Sequence, residues 1–250
     1  MYFKICRAEF KKYCSEILTY YPDQIVSLIV TYIIFFAFFY GFGNSESHSY
    51  YIGYLYWYFG SNVISEAAIT VSSEKQEGTL EQLLIKPISI SGISITRTLV
   101  WLLFNLFKVI FLLFLIKVTL NIYLPFNLLV IPVFVITIIG LMGFSLILTA
   151  LTLRYTKTAS FESIISYILL FFTGSLISLD KMPKFIQISS QFFPLTKGIS
   201  MSRSLLDGHT LVALDWLALA MNSGVYFLLG ELLFYFIIKG SKNDGINNRY

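Results

Sequence analysis

Charge is scarce in this sequence for its length. Only 18 Lys or Arg and 14 Asp or Glu occur among 250 residues. The charged fraction is therefore 13%, where soluble domains average about 25%. Three runs, 24–45, 118–153 and 163–179, contain no Asp, Glu, Lys or Arg at all. Because a bilayer core needs about 20 apolar residues per helix, these runs exclude an ordinary soluble domain.

The groups that metal sites and common enzymes require are also missing. The two histidines, His48 and His209, and the two cysteines, Cys6 and Cys14, show no metal-ligand spacing. No GxxxxGK[ST] phosphate loop and no GxSxG nucleophile elbow occurs. The sequence therefore predicts no metal, no cofactor and no catalytic residue in this chain. The net charge of +4 gives no reason to invoke nucleic acid as a partner.

What the sequence does contain is a series of long hydrophobic segments. They are continuously apolar and lack the two-residue alternation of barrel strands, so an all-α integral membrane protein is expected. Lys and Arg concentrate on the side that carries both chain ends, which the positive-inside rule assigns to the cytoplasm of a cell (plasma) membrane protein. We predict one membrane domain, 1–250, with six spans: 25–42, 50–71, 93–116, 128–153, 163–179 and 216–238.

Two segments outside these spans are apolar enough to contact lipid. Residues 1–23 alternate apolar and basic positions, which predicts an amphipathic helix on the inner leaflet, with a frayed basic leader as the alternative. Residues 180–214 are long and apolar for a loop, and Pro183 and Pro194 interrupt them. Because non-spanning backbone is tolerated at membrane depth when protein surrounds it, we expect two short re-entrant helices there.

Three ionisable residues fall well inside the predicted spans, namely Glu66, Lys108 and Glu231, whereas Arg97 counts with the positive charges of the inner side. A charge at mid-bilayer costs about 2.5–3.5 kcal/mol on insertion scales, so each should face protein, water or an opposite charge. Structural ion pairing or snorkelling, a polar pathway for a substrate, and catalysis by Glu66 and Glu231 in an intramembrane enzyme are the three interpretations.

Aromatic residues crowd the predicted outer end of the second span. Tyr54 and Tyr58 lie four positions apart and therefore share one helical face. An aromatic belt at the headgroup level accounts for them, and a stacking surface for an amphipathic cargo is the alternative.

The segment EKQEGTLEQLLIKPIS, residues 74–89, is a charged island between two spans. Thr79 begins a capping box, leucines recur at helical spacing after it, and Pro87 stops the helix. This pattern predicts a short amphipathic helix within 74–86 on the inner side. A polar loop that rests on its own bundle is the alternative.

The island resembles the segment after the second span of type-2 ABC (ATP-binding cassette) exporter permeases, in the branch of drug and antibiotic exporters. A second stretch is similar to the family between spans 5 and 6: Gly174, Pro183, Phe185, Phe193-Pro194-Leu195-Thr196, Arg203 and Asp207-Gly208. The resemblance implies that the island is a coupling helix in a cleft of a separate ATPase subunit, which binds ATP and Mg²⁺. The coupling residues it implies are Glu74, Glu77, Gly78, Thr79, Leu80, Glu81, Leu83, Leu84 and Pro87.

The same resemblance implies a second permease copy, with a homodimer expected and a heterodimer left open. It also implies an outer gate formed by the re-entrant helices, at Pro183, Phe185, Phe193, Pro194 and Arg203. Because the spans have no string of ionisable groups for small ions, we expect an amphipathic or hydrophobic cargo: a drug, antibiotic, peptide or lipid. Export of a polysaccharide or lipid-linked glycan is the alternative.

Overall fold

A computed structural model of the chain describes residues 2–42, 50–76, 78, 89–120, 125–154, 159–175 and 179–244. Most of these residues lie in helices, and no strand occurs among them. The helices are α1 (Tyr2–Thr19), α2 (Tyr21–Phe42), α3 (Tyr50–Gln76), α4 (Ile90–Leu120), α5 (Val130–Arg154), α6 (Ala159–Phe172), α7 (Lys184–Ser190), α8 (Pro194–Leu206) and α9 (Ala213–Asp244), with a 3₁₀ turn at Leu179–Lys181.

Three helices in the described ranges are long and apolar enough to cross a bilayer: Ser91–Thr119, Val130–Thr152 and Ala213–Ile237. A fourth span results if α1 and α2, which are bent by 84°, count as one broken span. The prediction of a helical membrane protein is confirmed, and the number of six spans stays a prediction. α3 is long enough, but its tyrosines, Asn62 and Glu66 make it less apolar than the other candidates.

α6 is shorter than the predicted fifth span. It ends at Phe172, and the chain bends through Thr173–Ser175 rather than continuing as a helix to residue 179. Gly174 has a φ of 77°, in the left-handed region that glycine adopts without steric cost. The bend therefore stops the helix inside a run that is apolar throughout.

α5 lies at the centre of the bundle. It packs most extensively against α9, and it also contacts α3 and α8. A Cβ atom on Gly143 would lie 2.4 Å from the Phe227 Cα, and one on Gly230 would lie 2.3 Å from the Gly143 carbonyl oxygen. Only glycine permits such an approach of two backbones, and small residues at helix crossings are typical of membrane proteins.

Tyr51, Tyr54 and Tyr56 of α3 are buried in the bundle. Tyr54 is 5% exposed and its hydroxyl donates to the Thr31 carbonyl at 2.9 Å. The Tyr56 hydroxyl hydrogen-bonds the Ser202 hydroxyl at 2.7 Å. Tyr54 and Tyr58 do share a face, with ring centroids 6.4 Å apart. A headgroup belt is therefore wrong for Tyr54, because burial is possible once the fold supplies an acceptor for its hydroxyl.

α1 packs against the first half of α4. The rings of Phe10 and Phe104 lie 4.9 Å apart. α2 instead contacts the last part of α4, where the Tyr32 and Thr119 hydroxyls are 2.8 Å apart. The 31 residues of α4 extend about 46 Å, more than the roughly 30 Å of a bilayer core. We call the end of the bundle where α3 ends and α4 begins the inner end, following the predicted orientation.

Two short helices, α7 and α8, separate α6 from α9. α8 begins with Pro194 at its first turn, a position where the missing N–H costs nothing. Most of its residues are buried, and it packs against α3, α5 and α9. The two helices fall within the predicted re-entrant segment, while their depth in the bilayer stays a prediction.

Candidate functional site

An arginine at the inner end joins three helices. The Arg97 Nε on α4 donates to the Glu9 Oε1 on α1 at 2.9 Å, and the Arg97 Nη1 lies 2.5 Å from the Glu74 Oε1 on α3. The three side chains are only 11–13% exposed. Hydrogen bonds between a guanidinium and carboxylates are about twice as strong as neutral ones. We call Arg97, Glu9 and Glu74 the inner arginine cluster.

The inner arginine cluster depends on the length of α3. The predicted second span ends at residue 71, but α3 continues to Gln76 and places Glu74 in its last turn. Glu74, predicted as the first coupling residue, is thus turned toward Arg97. The sequence marks Arg97 only as a positive charge of the inner side. A signal for the cluster was present, because Glu9, Glu74 and Arg97 all fall on the side that is predicted to be the inner one.

Gly78 follows the end of α3. Its N–H donates to the Lys75 carbonyl at 3.4 Å, and its φ is 71°, which suits a glycine just past a helix. Lys75 is 7% exposed, and desolvation lowers the pKa of its ammonium group. The other predicted coupling residues, Glu77, Thr79, Leu80, Glu81, Leu83, Leu84 and Pro87, lie outside the described residues.

Two of the three ionisable span residues lie near the bend between α1 and α2. The Tyr13 hydroxyl of α1 donates to Glu66, and the Lys108 ammonium donates to the Gln24 side chain near the start of α2. Glu231 lies on α9, one residue after Gly230 of the glycine crossing with α5. The structure thus places Glu66 and Lys108 in internal hydrogen bonds.

A second arginine joins helices at the opposite end. The Arg203 Nη1, in the last turn of α8, donates to the Gly174 carbonyl at 2.8 Å, and its Nη2 donates to the Ser175 carbonyl at 3.2 Å. Both carbonyls belong to the bend after α6. A Cβ atom on Gly53 of α3 would lie 2.1 Å from the Ser175 oxygen. We call Arg203, Gly174, Ser175 and Gly53 the outer arginine cluster.

The other predicted gate residues fall into two groups. Phe193 precedes α8 and packs against the core, and Pro194 is buried beside Gly140, where an added Cβ would lie 2.9 Å from the Pro194 Cβ. Pro183 caps α7 and is exposed, and Phe185 is 76% exposed. The structure brings only the first group into the same packed region as Arg203.

No group of three His, Cys, Asp or Glu side chains that could hold a metal occurs in the described ranges. Residues 2–206 match the family described as the ABC-2 type transporter. The chain belongs to this family. The matched residues extend from α1 to the last residue of α8, so they include both arginine clusters. No curated protein matches the chain.

Membership of the ABC-2 family makes the chain the transmembrane component of an ABC transporter. It is a transport subunit and not itself the ATPase, and permeases of this family normally work with an ABC ATPase. The resemblance to type-2 ABC permeases is therefore confirmed, while the branch of drug and antibiotic exporters stays a prediction.

Proposed function

We propose that the chain is the permease subunit of an ATP-driven exporter in the cell membrane, with both termini cytoplasmic and six spans per copy. A separate ATPase subunit docks on the segment 74–87 of each of two permease copies. The cargo is amphipathic or hydrophobic and leaves from the cytoplasm or the inner leaflet. The observation that carries this proposal is the ABC-2 family match over residues 2–206.

The inner arginine cluster supports the docking role of the segment 74–87. α3 ends and α4 begins on either side of this segment, and Arg97 connects the two helices through Glu74. It also connects them to α1 through Glu9. A displacement of the docking segment would therefore act on three helices together, because charge-assisted hydrogen bonds resist their separation.

The use of polar groups inside the bundle supports an amphipathic cargo over a small ion. Glu66 accepts from Tyr13 and Lys108 donates to Gln24, so both groups are already hydrogen-bonded internally. An intramembrane enzyme that uses Glu66 and Glu231 receives less support, because Glu66 already accepts a hydrogen bond from the Tyr13 hydroxyl.

The outer arginine cluster supports a gate at the exit. Arg203 joins the end of α6 to α8, and α8 itself is buried among α3, α5 and α9. In this proposal Phe193, Pro194 and Arg203 form the packed part of the gate, and Pro183 and Phe185 form its exposed margin. A cargo that leaves between α6 and α8 would have to separate Arg203 from the two carbonyls.

The proposal is tested by purifying the chain from its native membrane in a mild detergent and identifying the proteins that co-purify. We expect an ABC ATPase to co-purify with the unaltered chain and to be lost with Leu83→Asp or Glu81→Lys, while membrane insertion is retained. Glu16→Lys is the matched control, since it reverses an exposed charge on α1 near the same end. Absence of an ATPase, or equal loss with Glu16→Lys, would contradict the proposal.

A further inference from the structure

α1 has two faces, and protein covers part of the apolar one. Its Glu9 and Tyr13 contact α4 and α3, and Phe10 packs on Phe104. The amphipathic helix predicted to rest its apolar side on the inner leaflet thus uses part of that side against protein. The opposite face is the one left for another partner.

The opposite face of α1 is basic. Lys4, Arg7, Lys11 and Lys12 are exposed. Spacings of three and four positions place Lys4, Arg7 and Lys11 on one side of the helix, and Lys12 lies at the edge of that side. Lys12 has a weak exposed pairing with Glu16 at 3.8 Å. Lys4, Arg7 and Lys11 form no ion pair within the described part of the chain.

In the proposed orientation, α1 lies at the level of the inner membrane surface. α2 turns away from α1 by 84° and extends along the last part of α4, so α1 crosses the bundle near its inner end. At the turn between the two helices, Leu18 is 76% exposed and Tyr20 and Tyr21 are 63% and 62% exposed. Apolar and tyrosine side chains beside exposed cations are typical of a segment at the headgroup level.

We propose that the basic face of α1 binds the phosphate headgroups of anionic lipids in the inner leaflet. Clusters of four or more Lys and Arg beside a span attract anionic lipid electrostatically. This inference rests on the proposed inner location of α1. Because Glu9 joins α1 to Arg97, the lipid charge would also act on the inner arginine cluster beside the docking segment.

The test is thermal unfolding of the full chain in dodecyl maltoside with added lipid. Phosphatidylglycerol should raise the melting temperature by about 5–10 °C at about 100 times its Kd, the shift expected for a specific ligand of a chain this long. Phosphatidylcholine and inorganic phosphate should not raise it, and 0.5 M NaCl should remove most of the rise. An equal rise with phosphatidylcholine, or with inorganic phosphate, would overturn the proposal.

A charge-matched pair of variants locates the site. The triple variant Lys4→Gln, Arg7→Gln and Lys11→Gln should lose most of the rise, whereas Lys117→Gln, Lys184→Gln and Lys239→Gln, three exposed lysines on other helices, should keep it. An unchanged rise in the first variant would overturn the proposal. If that variant does not fold, the single variants Lys4→Gln, Arg7→Gln and Lys11→Gln replace it. Each should lose part of the rise, and an unchanged rise in all three would overturn the proposal. No ATPase is present, so this result is independent of the docking experiment.

Discussion

The two ends of the bundle each contain one arginine between helices, but the partners differ in kind. At the inner end, Arg97 bonds the carboxylates of Glu9 and Glu74. At the outer end, Arg203 bonds the main-chain carbonyls of Gly174 and Ser175. The inner contact is a pairing of opposite charges, whereas the outer contact satisfies carbonyls left over where a helix stops.

This difference in partners determines which changes can weaken the contact at each end. The inner contact can be changed by altering charge on any of three side chains, and it lies beside the segment proposed to receive the ATPase. The outer contact depends on the path of the backbone, because its acceptors are main-chain oxygens, which no side-chain substitution removes. Gly174 has a positive φ and Gly53 leaves room for the Ser175 carbonyl. We infer that ion pairing holds the helices together at the inner end, whereas close packing of main chains holds them together at the outer end.

The largest effect is expected from Arg97→Leu. It leaves Glu9 and Glu74 in a buried environment without this cation, and breaking a buried charge pair from one side costs about 3–5 kcal/mol. Thermal unfolding in detergent, followed by tryptophan fluorescence, measures the loss. Adding Glu9→Gln and Glu74→Gln to Arg97→Leu should recover most of the stability, because no buried charge then remains. A melting temperature unchanged by Arg97→Leu would refute the charge pairing.

A smaller loss is expected from Arg203→Ala. The Gly174 and Ser175 carbonyls lose their donors, and each unsatisfied acceptor costs about 1–3 kcal/mol. Because water replaces part of the bonding, we expect the free energy of unfolding to fall by about 2–3 kcal/mol in total. Arg203→Lys should recover about half of the loss, since one ammonium reaches one carbonyl well. The same thermal unfolding assay applies. Full recovery with lysine would show that charge, not the two-carbonyl geometry, matters at this end.

The smallest loss is expected from Gly53→Ala, which tests the close fit of the outer arginine cluster, where an added Cβ would also lie 2.5 Å from the Arg203 Nη2. The added Cβ would lie 2.1 Å from the Ser175 oxygen. Overpacking of this kind lowers the free energy of unfolding by about 1–3 kcal/mol. The better helix propensity of alanine offsets up to about 1 kcal/mol of that loss. Gly224→Ala on α9 is the matched control, because an added Cβ there meets no atom within 4 Å. We expect Gly224→Ala to raise the melting temperature and Gly53→Ala to lower it. A rise in both would contradict the close fit.

Patterns in the sequence were sufficient for the helical membrane class and for the family. Continuous apolar runs without alternation predict helices in lipid, since backbone groups there must be satisfied within the segment. The Glu-Gly-Thr-Leu-Glu segment carried the resemblance that the ABC-2 match confirms. The helix ends were less predictable: α3 continues to Gln76, and α6 stops at Phe172 inside an apolar run. Hydropathy cannot detect a bend that depends on one glycine.

The sequence by itself determined that this chain is a helical membrane protein and that it belongs to a family that normally works with an ABC ATPase. These follow from local properties: the length of apolar runs and the order of residues in one motif. Only the tertiary structure decided which groups meet. Glu9, Glu74 and Arg97 are far apart in sequence, and Tyr54 is buried rather than at the surface because a carbonyl of α2 accepts its hydroxyl. Such contacts depend on how whole helices pack, and no local pattern encodes that.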